Sequence, residues 1–502
     1  MSRILKNSLF NLMGQVLPLL VALAAVPVCV SGLGMERFGI LSIAWTMLAY
    51  FAFFDMGLGR GTTKYFAEAL KSGSMEKLGS IIWVSMSLNV VLGVAGLASL
   101  VLFAPVLAAD ILKTPEAMLP EAVRAFTILA FSIPMVTMMA VLRGVIEAAE
   151  RFDMSNLLKV LSNSLIFLIP IVCVLMGTSL ETLFFWMVMS RLVSMLAFFW
   201  AVIRLFPDHI GNFRFKRSLA SQLLRYGGWV TLSNMLNPII SYGERVLIPA
   251  MLSLTMLSYY SAPYELISRM AVVPASLSLT LFPRFSGVEN NKDGSALSDL
   301  ILRPSKYLLL VLTPVTMVFV AFAREILFVW LGADFASVSG SLLMILAVAF
   351  FVNALAYVPL AAVQGMGRPD MKAKLDFAAA PLFAVLCWLG IMVMGIDGAA
   401  WAKLVVSMLD TVCLFIFAAL ILGLPAYKTF SCGMTPAVVS SVVSIASVFA
   451  ATSLGAALSV RTLVFIVMLV AFGIVFWKKA VDDSDKAMMN AFLVRFHRSG
   501  RV

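Results

Sequence analysis

The chain is cut into fourteen stretches of mostly apolar residues, near 8–31, 38–59, 79–103, 122–143, 156–177, 182–204, 226–251, 258–283, 304–330, 338–364, 374–396, 399–423, 435–456 and 460–477. Each is close to the roughly 20 residues that a helix needs to cross the hydrocarbon core of a bilayer. Little is left over for a soluble domain. The amino-acid balance agrees, with 62% of the 502 residues hydrophobic and 13% charged, against about 45–50% and 25% in soluble domains. Five cysteines are too few for a disulfide scaffold. The expected fold class is an all-α polytopic membrane protein of about fourteen transmembrane helices.

Lysine and arginine placement sets the orientation. With the N-terminus cytoplasmic, alternate loops on that side carry 27 basic residues, the opposite side carries three (Arg37, Lys113, Arg461), and seven lie inside spans. Both termini are therefore expected inside. The net charge of +11 resides on short loops beside helix ends, which fits anionic lipid on the cytoplasmic leaflet and not nucleic acid. Arg3 and Lys6 precede an apolar run as in a signal peptide. Asn7, Asn11, Gln15 and Pro18 interrupt that run, so it reads as a retained first helix.

Four weak echoes recur at nearly one offset. Arg151-Phe152-Asp153-Met154 matches Arg368-Pro369-Asp370-Met371, and Arg191-Leu192-Val193-Ser194-Met195-Leu196 matches Lys403 through Leu409. Arg60 matches Arg284, and Phe38-Gly39 matches Tyr259-Tyr260. Transporters are often built from such repeats. The expected organisation is an N-lobe at 1–204 (helices 1–6), a cytoplasmic linker at 205–225 and a C-lobe at 226–423 (helices 7–12). Helices 13 and 14 at 424–477 and a basic cytoplasmic tail at 478–502 would follow.

A charge in mid-bilayer costs about 2.5–3.5 kcal/mol on insertion scales, which makes it a functional candidate. Arg124, Lys159 and Arg324 lie near span ends and read as snorkelling. The deeper set is Arg191, Glu244, Arg245, Glu265, Arg269 and Asp410, with Asp55 and Lys403 at intermediate depth. Asn234, Pro238, Ser241 and Arg245 fall on one helical face, with Asn237 beside it, and Asn7, Asn11, Gln15 and Pro18 follow the same course in the first span. Glu265 and Arg269 at i, i+4 can pair directly, either as a neutralised structural pair or as part of a site. Glu244 and Arg245 project about 100° apart, so at least one needs another partner.

There is no GxxxxGK[ST] nucleotide loop. The cysteines (Cys29, Cys173, Cys387, Cys413, Cys432) form no CxxC pair, and the two histidines, His209 and His497, lie in cytoplasmic segments. No cofactor or metal is expected. The longest external loop, near 104–121, is too short for a sugar-transferring site, so the chain does not read as an enzyme.

The first 75 residues carry a family likeness. Lys6-Asn7-Ser8 opens a helix with Gln15 and Pro27; Gly32-Leu33-Gly34, Phe38-Gly39, Asp55-Met56-Gly57-Leu58-Gly59 and Arg60-Gly61-Thr62-Thr63-Lys64-Tyr65-Phe66 follow. The set continues at Tyr226-Gly227, Asn234, Glu244-Arg245, Tyr259-Tyr260-Ser261-Ala262 and Leu281-Phe282-Pro283-Arg284-Phe285. This resembles the bacterial O-antigen and polysaccharide flippases of the polysaccharide-transport family, in the superfamily shared with multidrug and toxic-compound extruders and the peptidoglycan-precursor flippase.

The resemblance implies two six-helix lobes around a central cavity, in the bacterial cytoplasmic membrane. It implies transport of an oligosaccharide repeat unit on undecaprenyl diphosphate from the inner to the outer leaflet. The lipid-linked oligosaccharide and membrane lipid are the implied partners, together with the polymerase and chain-length proteins of the same pathway. Such flippases have cationic cavities, and depth in the membrane offers Arg191, Arg245, Arg269 and Lys403 for the diphosphate. Asn11, Gln15, Asn234 and Asn237 are expected to hydrogen-bond sugars. Asp55, Glu244, Glu265 and Asp410 are candidates for carrying a coupling proton or sodium ion. The competing readings are a multidrug or cation antiporter, the peptidoglycan-precursor flippase, and a membrane glycosyltransferase or polymerase.

Overall fold

The computed structural model describes residues 2–55, 57–207, 217–224, 240–286, 294–422 and 434–480; the side chains of 2–17 and of a few scattered helical residues are outside that description. Among the described residues there are helices and no strand. In chain order they are α1 (Ser2–Leu33), α2 (Met35–Tyr50), α3 (Leu58–Lys71), α4 (Met75–Val106), α5 (Leu119–Ala130), α6 (Ser132–Ala148), α7 (Phe152–Leu175) and α8 (Leu180–Leu205). Then come α9 (Glu244–Met251), α10 (Leu254–Ser268), α11 (Val272–Ser286), α12 (Gly294–Ala321), α13 (Ala323–Leu331) and α14 (Ala333–Gly365). The last four are α15 (Pro369–Met394), α16 (Ile396–Ile421), α17 (Met434–Ser453) and α18 (Leu458–Val475). Ten helical stretches among the described residues are long and apolar enough to span a membrane. Each coincides with one of the stretches expected from the sequence. The protein is an all-α, multi-pass membrane protein.

Several of the expected spans are broken, among them the fourth between α5 and α6 and the ninth between α12 and α13. The second, expected at 38–59, is α2, a 3-10 turn at Phe51–Asp55, and then α3. Gly57 takes a left-handed φ of 68°, which a residue without Cβ adopts freely, and this ends one helix and starts the next. α3 is amphipathic, with Leu58, Thr62, Phe66 and Ala69 buried and Arg60, Lys64, Glu68 and Lys71 on the exposed face. The eighth span, expected at 258–283, is interrupted by a 3-10 turn at Arg269–Ala271. Pro274 explains the interruption, because its ring excludes the carbonyl four residues back and it offers no N–H.

The chain divides into two compact units, Met1–Glu265 and Leu266–Val502. In the first, α3 packs on α4 and α6, α6 on α8, and α1 on α7. The α3–α6 contact is backbone to backbone: a Cβ on Gly144 would stand 2.6 Å from the Gly59 carbonyl oxygen, and one on Gly59 would stand 3.0 Å from that of Ala140. In the second unit α14 packs against α11, α12, α13 and α16, and α15 lies on α16. Gly390 and Gly398 let α15 and α16 meet where no side chain fits. The last two helices are fastened to this unit by polar contacts. Lys306 Nζ donates to the Ala480 carbonyl at 3.0 Å, Thr313 Oγ1 to Ser441 Oγ at 2.9 Å, and Arg461 Nη2 pairs with Glu325 Oε1 at 2.6 Å.

One sequence echo is also a structural one. At the α6–α7 turn, the backbone N–H groups of Ala149, Glu150 and Arg151 donate to the carbonyls of Val145, Glu147 and Ile146; at the α14–α15 turn, those of Met366, Gly367 and Arg368 donate to Ala362, Gln364 and Val363. The arginine then grips the aspartate two residues on. Arg151 reaches Asp153 Oδ1 and Oδ2 at 3.1 Å each, and Arg368 reaches Asp370 at 3.0 and 3.3 Å. The same fold of the chain recurs 217 positions later because the same short-range hydrogen bonds are available there.

Candidate functional site

Intramembrane charges in the first unit gather around Arg245. Its guanidinium is 1% exposed, near the start of α9. Nη2 donates to Glu265 Oε1 of α10 at 2.8 Å, and Nη1 donates to Thr46 Oγ1 of α2 at 2.9 Å. The rings of Tyr242 and Tyr264 lie 5.3 and 4.8 Å from the guanidinium carbon. A delocalised, weakly hydrated cation suits such an aromatic cage better than an ammonium group does. Glu244, fully buried next to it, accepts the Tyr260 hydroxyl at 3.3 Å. α2 comes this close because Gly39 faces the Leu254 carbonyl, where a Cβ would stand at 2.7 Å.

The partner of Glu265 here is therefore an arginine twenty positions earlier, not only the residue one turn on that the i, i+4 spacing singles out. The α-helix ends at Ser268 and Arg269 enters a 3-10 turn, half-buried.

Arg191 has a different environment. It sits in the middle of α8, 8% exposed, with Nη1 donating to Ser162 Oγ of α7 at 3.0 Å. Its Nε has no hydrogen-bond partner, and no carboxylate pairs with it among the described residues. Ser190 and Ser194 are buried on the same helix. This is a desolvated cation with a hydroxyl for company, an arrangement that costs free energy unless the charge is paired.

In the second unit Lys372 holds two carboxylates. Its Nζ lies 3.0 Å from Asp376 Oδ1, one turn along α15, and 2.6 Å from Asp410 Oδ1 on α16. Depth in the membrane points to Asp410 but not to Lys372, which reads as a loop cation; the Lys-x-x-x-Asp spacing that opens the span is the signal for its pairing with Asp376. Lys403 is half-buried on α16, its Nζ 5.7 Å from the centre of the Phe383 ring. Asp55 is buried at the break between α2 and α3 and accepts the Gly59 N–H on both oxygens at 3.1 Å. Asn11 and Gln15 lie on α1 with side chains outside the described residues, and Asn234 and Asn237 lie outside them altogether.

Known proteins resemble this chain in sequence and in fold. A family model described as "Polysaccharide biosynthesis protein" matches residues 4–289, more than half of the chain. A Shigella flexneri protein named "Putative O-antigen transporter" is 28% identical over 414 residues, covering 82% of this chain and 96% of its own. The inward-facing structure of a multidrug resistance MATE family transporter of the MOP superfamily superposes with a TM-score of 0.72 at 16% identity, over 84% of this chain and 99% of its own. The lipid II flippase MurJ, in an inward closed conformation, gives 0.70 at 13% identity over 95% and 99%. At those identities the two structures speak for the fold alone. The family model spans more than half of the sequence: the chain belongs to the polysaccharide biosynthesis protein family.

Proposed function

We propose that this protein is a flippase of the bacterial inner membrane for a lipid-linked oligosaccharide. In this reading it moves an undecaprenyl-diphosphate-linked repeat unit of O-antigen, capsule or exopolysaccharide from the cytoplasmic to the outer leaflet. The obstacle is electrostatic, since a diphosphate and its sugars must leave water while the polyprenyl tail stays in lipid. A buried guanidinium supplies two parallel, charge-assisted hydrogen bonds to a phosphate and replaces its hydration. Access to either side would alternate between the two halves of the fold, driven by an ion gradient.

The observation that carries the reading is Arg191, a mid-membrane guanidinium with one hydroxyl partner and no carboxylate among the described residues. Family membership and the relative named for O-antigen transport support it. A cation antiporter is the weaker alternative, since a cation-binding site has no use for an unneutralised buried arginine.

The test is the leaflet distribution of lipid-linked oligosaccharide in a deletion strain. Accumulation on the cytoplasmic leaflet is expected, cleared by the wild-type gene and not by Arg191→Gln expressed to the same level. A deletion strain with normal export would end the flippase reading; full rescue by Arg191→Gln would remove the arginine from it.

A further inference from the structure

α2 lies against α10 along one stripe on each helix. Met35, Gly39, Ser42 and Thr46 fall at i, i+4, i+7 and i+11 of α2, and Leu254, Ser258, Ser261 and Glu265 repeat that spacing on α10. All eight belong to the first compact unit. The Ser258 hydroxyl donates to the Met35 carbonyl, and a Cβ on Gly39 would stand 2.7 Å from the Leu254 carbonyl oxygen. Ser261 Oγ donates to Ser42 Oγ at 3.2 Å. Arg245 joins the far end of the two stripes, giving Nη1 to Thr46 and Nη2 to Glu265.

The contact is symmetric in sequence. Ser42 and Ser261 are 219 positions apart, and the same separation joins Met35 to Leu254, Gly39 to Ser258 and Thr46 to Glu265. Exchanging the members of each pair carries the contact onto itself. Ser258 meets the carbonyl of Met35 as Gly39 meets that of Leu254, and the two serines meet each other. This is the pattern of an isologous interface, with a pseudo-two-fold axis passing between Ser42 and Ser261. The spacing is close to that of the repeated turns, so helices in matching places of the two sequence halves close on one another here. In the orientation that the loop charges give, both helices begin at the outer face.

The seam excludes water, yet it can part without orphaning its hydroxyls. Ser42, Thr46, Ser258 and Ser261 are at most 3% exposed. Ser42 Oγ also has the Gly39 carbonyl at 2.9 Å, Thr46 Oγ1 the Ser42 carbonyl at 2.9 Å, and Ser258 Oγ the Leu254 carbonyl at 3.2 Å. Each of these three therefore keeps an acceptor on its own helix when the other helix withdraws. Apolar side chains would fill the same gap, but a parted seam would then present hydrocarbon to water. A hydroxyl both donates and accepts, so it takes water or a sugar hydroxyl in place of its lost neighbour. The Arg245 charge is neutralised by Glu265, which leaves this wall without a net attraction for phosphate.

We propose that the seam is the outer closure of the sugar passage, and that Ser42, Thr46, Ser258 and Ser261 turn from one another to the sugar hydroxyls when it parts. The ligand class is the uncharged part of the oligosaccharide. This rests on the flippase reading and deepens it: the diphosphate falls to Arg191, while Arg245 holds the inner end of the seam.

The test uses the full-length protein. Ser42→Cys with Ser261→Cys puts two thiols at the axis, where the 3.2 Å between the hydroxyl oxygens suits a disulfide. In sealed right-side-out vesicles charged with the strain's own lipid-linked oligosaccharide, oxidation is expected to cut flipping at least tenfold against the same variant kept reduced, and reductant to restore it. A second measurement needs no crosslink. Ser261→Cys alone should react with a membrane-impermeant maleimide from outside at least tenfold faster when the lipid-linked oligosaccharide is supplied, and delipidated glycan added outside should slow that reaction. Wild type is the control for the native cysteines. Thiols that do not crosslink, undiminished flipping by the crosslinked protein, or labelling indifferent to either ligand overturns the proposal. Wild-type protein that does not flip defeats the flippase reading itself, whereas wild type that flips no faster than the crosslinked variant defeats only the seam.

Discussion

Arg245 and Glu265 face one another 2.8 Å apart with 1% and 12% of their side chains exposed, and two tyrosine rings close over the cation. Removing one member of such a pair strands the other in a low dielectric, at a cost of about 3–5 kcal/mol. Arg245→Ala and Glu265→Ala are each expected to unfold well below wild type in detergent. Arg245→Met combined with Glu265→Met should regain most of the loss. Arg245→Lys keeps the charge but loses the planar fork that reaches Thr46 and Glu265 together, and should fall between. Single variants with wild-type melting temperatures would show that the pair contributes nothing to the fold.

Lys372 bridges Asp376 and Asp410, so it neutralises one of two charges and keeps them apart. Lys372→Met should be the most damaging single change in the triad, because it leaves two carboxylates side by side. Adding Asp376→Asn should recover stability in a double-mutant cycle, with a coupling of about 0.5–3 kcal/mol. Additive effects would mean that the three residues do not act as a unit.

Helix positions and type were legible from hydropathy alone, because apolar runs of spanning length have one stable outcome in lipid. The ten spans found among the described residues each match a predicted one. The break in the second span was harder to see, since Asp55, Gly57 and Gly59 sit inside an apolar run and hydropathy averages over them. For the charged residues, depth identified Arg191, Arg245, Glu265 and Asp410 but not their partners. Asp376, Lys372, Thr46 and the tyrosines come from other turns and other helices, and pairing across helices is a property of packing. Asp410 reads as a lone acid in the sequence and is a bridged one in the fold.

Gly390 and Gly398 form the closest approach of α15 and α16: a Cβ on Gly398 would collide with the Gly390 backbone. Gly398→Ala must push the helices apart, against the about 1–3 kcal/mol typical of overpacking. A lower melting temperature is expected, with Gly473→Ala as the control, since nothing lies within 4 Å of the Cβ built there. Equal effects of the two substitutions would mean that the helices separate freely.

The repeated turns allow a sharper comparison, because the same backbone is carried by different residues. Glu150 holds a φ of 59°, and Gly367 occupies the matching place with a φ of 73°. A left-handed conformation costs a residue with a Cβ about 1–2 kcal/mol. Against this, glycine has more freedom to lose on folding, an opposing effect of about 0.4–1 kcal/mol. Glu150 is exposed, so removing its side chain forfeits little packing. Glu150→Gly should therefore raise stability slightly, by up to about 1 kcal/mol, and Gly367→Ala should lower it by a similar amount. The opposite signs are the test, read as shifts in melting temperature in the same detergent. If both substitutions shift it in the same direction, the two turns are not equivalent and their shared hydrogen bonds do not carry the same backbone demand.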